Sequence, residues 1–118
     1  SNNYTPETYY AFASRIIEST FDIACGAEDA APLYKKAADG GQLDALYRYL
    51  RALHILINHE NDETKKEQYQ NLQFQYLIYA SATMNPKYIS RLYEQLSNTR
   101  KKEKKYNRRF FICRISEP

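Results

Sequence analysis

His54 and His59 are the only histidines, and five residues on a helix point them in different directions. Two-histidine zinc motifs set their ligands at i and i+4, a spacing these two lack, so no metal ion is expected there. Cys25 and Cys113 are the only cysteines, and neither has a second cysteine or a histidine at ligand spacing. A disulfide is therefore not expected either. The acid pairs Glu28-Asp29 and Asp62-Glu63 read as loop residues beside helix starts, where carboxylates favour the positive helix end without any acid-base role. Neither the nucleophile-elbow nor the phosphate-loop glycine pattern is present, and Gly40-Gly41 lacks the following lysine and hydroxyl that hold a phosphate. The expectation is a chain that is not an enzyme and carries no cofactor. A tyrosine-lined pocket built without a motif is the remaining route to catalysis.

Two sets of side chains suit binding. Tyr47, Arg51, His54 and Asn58 fall at three- and four-residue steps, a mixed aromatic and polar strip fitted to peptide contacts or, equally, the boundary between core and solvent. Arg100, Lys101, Lys102, Lys104, Lys105, Arg108 and Arg109, with Tyr106 among them, could grip the phosphates of nucleic acid or anionic lipid. The plainer reading of that run is a solvated tail. Charge is lopsided in the same direction: residues 1–86 hold 7 basic and 11 acidic side chains, residues 87–118 hold 10 and 3.

The elements that position these residues are expected to be helices. A chain of 118 residues makes one domain, and 3 glycines with 4 prolines leave long uninterrupted segments. Twelve tyrosines and no tryptophan imply many rings half-buried with the hydroxyl at water. The longest apolar stretch, Ala52 to Ile57, is interrupted by His54 and is far short of the roughly 20 residues of a membrane span. Ser1-Asn2 reads as a tag-removal remnant, and no charged-then-apolar leader follows; localisation stays open, with the cytoplasm favoured.

Thr5-Pro6-Glu7 is a helix start, and Tyr9, Phe12, Ala13, Ile16, Thr20, Ile23 and Ala24 continue it to about Cys25, with Gly26 as its stop. Asp29 caps a short second helix, Ala30 to Ala38, with Pro32 in its first turn and Gly40-Gly41 ending it. A third, heavily buried helix runs from Gln42 to about Ile57 on the stripe Leu43, Leu46, Leu50, Leu53 and Ile57, widened by Ala45, Tyr49 and Leu56. Thr64 to Glu67 matches a reciprocal cap for a fourth helix with Tyr69, Leu72, Tyr76, Tyr79 and Ala80 inward. Asn85-Pro86 breaks it and starts a fifth, striped by Ile89, Leu92, Tyr93 and Leu96. Phe110, Phe111, Ile112, Cys113 and Ile115 could be a strand, a helical turn or a segment folded onto the core. The fold class is all-α, about five helices as stacked antiparallel pairs or a compact bundle, over residues 1–97, with residues 98–118 as a basic C-terminal segment.

The chain also echoes itself: Ala37 to Ala45 returns, 43 residues on, as Ala80 to Tyr88. Leu33-Tyr34-Lys35-Lys36-Ala37-Ala38, then Gly41, Ala45 and Leu50, resembles the Sel-like repeats, short-helix relatives of the tetratricopeptide repeats. It departs from them at Arg51, where that family has glycine, and at Met84 in the second junction. The resemblance implies an adaptor that binds proteins or peptides along a concave face without catalysis. The sequence thus points to a non-catalytic protein-interaction module, either an adaptor fragment or a small protein that neutralises a partner. The alternative is a nucleic-acid or anionic-membrane binder working through the basic segment.

Overall fold

Thr5 opens the first helix by its side chain, whose Oγ1 accepts the Thr8 amide at 3.2 Å, while Pro6 occupies a position that needs no donor. The computed structural model describes residues 3–92 and 94, and in it α1 spans Pro6–Ser19. The next helix, α2, spans Ile23–Asp39 and is capped by Asp22, whose Oδ1 accepts the amides of Ala24 at 2.9 Å and Cys25 at 3.3 Å. This corrects the expected boundary near Cys25. A carboxylate able to satisfy two orphan amides outcompetes the glycine signal, so Gly26 lies inside α2 and stops nothing. Its smallness serves packing instead: a Cβ at Gly26 would stand 3.1 Å from the Cβ of Thr20, where the end of α1 crosses α2. Glu28, Asp29 and Pro32 are likewise interior residues of α2 and not its start.

The α2 terminus has a full left-handed glycine cap. The amide of Gln42 reaches the Ala37 carbonyl at 3.1 Å and that of Gly41 reaches Ala38 at 3.0 Å, with Gly41 at φ +96°. Gln42 then caps α3, Leu43–His59, by accepting the Ala45 amide at 2.7 Å. Helix α4, Glu63–Thr83, is capped by Asp62, which accepts from Thr64 and Lys65; the Thr64–Glu67 cap is corrected accordingly, because the carboxylate two residues earlier takes the amides of the first turn. Asn85 accepts the Lys87 amide at 2.9 Å and opens α5, helical over 86–92.

Among the described residues the chain is five helices without strands, each packed chiefly on its neighbours in sequence. Helix α3 is central: Leu46, Leu50, Leu53 and Leu56 are fully buried, each stabilising the fold by about 1.5–3 kcal/mol. Alanines 24, 27, 30, 31, 37 and 38 line the buried face of α2, and Ala45 answers them from α3, so the helices approach closely. Ser14 bonds the Tyr34 hydroxyl at 3.1 Å between α1 and α2. Tyr76 of α4 donates to Asp39 at 2.5 Å and meets Tyr49 edge-on, with centroids 4.8 Å apart.

Three expected core residues face outward. Leu43 starts α3 at the turn and is exposed, Phe12 is exposed on α1, and Tyr79 is exposed on α4 beside Phe74 and Ile78. Among the described residues α4 packs chiefly on α3, and Phe74 and Ile78 are left exposed. Leu92 of α5 is buried; Tyr93, Leu96, the basic segment and the cluster from Phe110 to Ile115 lie outside what is described.

Candidate functional site

Three helices, α1, α3 and α5, bring one side chain each or more to a common hollow of about 310 Å³. Tyr10 comes from α1, Asp44, Tyr47 and Arg48 from α3, and Tyr88 and Arg91 from α5. The helix period explains the α3 contribution, since 44, 47 and 48 share one face and 51 extends it by a turn. Asp44 stands in the first turn, where a carboxylate is favoured by the helix end.

The electrostatics of the hollow centre on Tyr47. Burial pushes its hydroxyl above the ordinary tyrosine range, while the positive charges of Arg51, Arg91 and Arg48 oppose that shift without cancelling it. Tyr47 therefore remains a protonated donor in a field of three guanidinium groups. Arg48 lies over the Tyr10 ring, 5.4 Å from its centroid. Partial burial disfavours its charge, but interactions with Tyr34 and Tyr10 outweigh that cost and raise its pKa. It is a cation held by those two tyrosines where it lines the hollow.

A second, smaller hollow of about 80 Å³ adjoins the first through Arg48. Its walls are apolar, from Ile17, Ile23, Ala27 and Ile55, and Arg51 stands at its edge. The Nε of Arg51 is enclosed and has no hydrogen-bond partner among the described residues. A third hollow, about 270 Å³, continues the first through Asp44 and Tyr88 to Leu43, Thr83 and Met84.

The strip read from the sequence is thus divided. Tyr47 and Arg51 border these hollows, whereas His54 and Asn58 line none of the three and bond each other, Asn58 Nδ2 to His54 Nε2 at 3.1 Å. The basic patch, Arg100 to Arg109, falls outside the described residues. Sequence reasoning missed Arg48, although it lies one residue from Tyr47 and three from Arg51 on the same face. It also missed Tyr10, Asp44, Tyr88 and Arg91, three of which come from other helices and carry no local signal.

Cys25 is buried in the first turn of α2, and Cys113, the other cysteine, lies outside the described residues. Among the described residues no group of three or more histidines, cysteines or acids is placed to hold a metal ion, and no helix is long and apolar enough to cross a membrane. No protein-family model, curated protein or solved structure matches the chain.

Proposed function

We propose that the chain is a non-catalytic protein-interaction module that receives its partner on the side formed by α1, α3 and α5. The observation that carries this reading is the hollow itself, where three tyrosines and two arginines from three helices stand together at the surface. Tyrosine and arginine are the side chains that concentrate binding energy at interfaces, because a large rigid surface is combined with directed donors. The Sel-like resemblance is consistent with it. Gln42 and Asn85, 43 residues apart, both cap the helix that follows, and Ala37 and Ala80, also 43 apart, are both buried. Paired junctions of this kind place alternate helices on one side, which is how stacked helix pairs build a shared binding face.

Affinity capture with immobilised protein, read by mass spectrometry, tests the proposal. A protein retained by the wild type should be lost with Arg48→Glu/Arg91→Glu, while circular dichroism shows helicity unchanged. Equal retention by both proteins would sink the reading. The charge excess of residues 87–118 supports the second reading, a nucleic-acid or anionic-membrane binder. That reading would displace the first if nucleic acid or anionic vesicles bind at about 0.15 M salt and Lys101, Lys102, Lys104 and Lys105 replaced by glutamine abolish it.

A further inference from the structure

We infer that the partner segment taken by this face is an acidic peptide with an aliphatic or aromatic anchor directly beside its carboxylates. The inference rests on the interaction-module reading and adds the chemistry of the ligand. It follows from how two unlike hollows are joined. The larger one presents Arg48 and Arg91 beside the Tyr47 ring, and Arg51 adds its charge from the next turn of α3. Against these three cations the lining holds, among the described residues, a single carboxylate, Asp44, so an anionic occupant is favoured over a neutral or basic one.

Discrete carboxylates fit better than a phosphate chain. A guanidinium fork matches a carboxylate through two parallel hydrogen bonds, whereas Asp44 in the same hollow opposes an occupant carrying dense, continuous negative charge.

The anchor is required by the smaller hollow. Its volume of about 80 Å³, walled by Ile17, Ile23, Ala27 and Ile55, has room for one side chain and not for a length of backbone. Leaving such walls wet forfeits the apolar burial that a partner side chain would provide. Arg48 borders both hollows, so the residue that pairs with it and the residue that fills the apolar hollow must be close together in the partner. Arg48 and Arg51 lie one turn apart on α3 and Arg91 faces them from α5, with Tyr10, Tyr47 and Tyr88 around them.

A displayed library of random peptides, panned on the folded full chain, reads this directly. Enriched sequences should carry aspartate or glutamate next to leucine, isoleucine, valine or phenylalanine. Synthetic peptides of the enriched class should lose at least about tenfold in affinity when their acids become amides, and the same amount on the Arg48→Gln protein, as expected for one charge-assisted hydrogen bond. Arg91→Gln, on the exposed side of α5, provides a second variant that leaves the core untouched, and Lys65→Gln on α4 serves as a control that binds as the wild type does. Enrichment of neutral or basic sequences, acidic enrichment that survives both arginine variants, or no enrichment above the bare matrix would each overturn the inference. Any of these alongside specific capture of a protein by the wild type, lost on charge reversal, leaves the module reading standing and removes only the ligand chemistry.

Discussion

His59 is buried at the C-terminal end of α3, and enclosure away from water pulls its pKa below the ordinary 6.5, with the charge of Asp22 acting in the opposite direction. The sign of the consequence is fixed by linkage. A folded-state pKa below the unfolded one means that the unfolded chain binds the proton more readily as pH falls. The stability that depends on neutral His59 is therefore complete above pH 6.5 and is lost as pH drops below it. Melting temperature should fall between about pH 7.5 and pH 5.5, and part of that fall should vanish in His59→Gln. Identical pH profiles for the two proteins would show that His59 is not the group responsible.

At the level of elements, the junction between α2 and α3 separates two uses of glycine. Gly41 sits at φ +96° with open space around it, so Gly41→Ala should cost about 1–2 kcal/mol through the backbone alone. Gly40 has ordinary backbone angles, but an added methyl would run into the ring of Pro6 at the start of α1. Gly40→Ala should therefore loosen the first turn of α1 while leaving the α2 cap intact. Amide hydrogen exchange separates the two: faster exchange confined to the start of α1 for Gly40→Ala, and a general loss of protection for Gly41→Ala. The reverse pattern would mean that the cap, and not the contact with Pro6, sets the need for Gly40.

For the whole molecule, the division of charge is the feature that local reading could not weigh. Positive charge is placed on the side where α1, α3 and α5 meet, although residues 1–86 together carry more acids than bases. Under the proposed reading, a cationic surface so placed would select a partner by where it binds and not by overall attraction.

The sequence by itself determined the helical class, the number of helices and the starts at Pro6 and Pro86, because periodicity, proline and capping residues act within a few positions of chain. It also determined most of the α3 core, since a stripe as strong as Leu46, Leu50 and Leu53 has only one way to be buried. What it could not determine was which of two adjacent signals wins, as where Asp22 overrules Gly26, because that depends on the close crossing of α1 against α2. The site follows the same division. Tyr47 and Arg51 could be read from helical spacing, but Tyr10, Tyr88 and Arg91 join them only after α1, α3 and α5 come to one side. That arrangement is decided by tertiary packing, because no interaction local in sequence links residues so far apart along the chain.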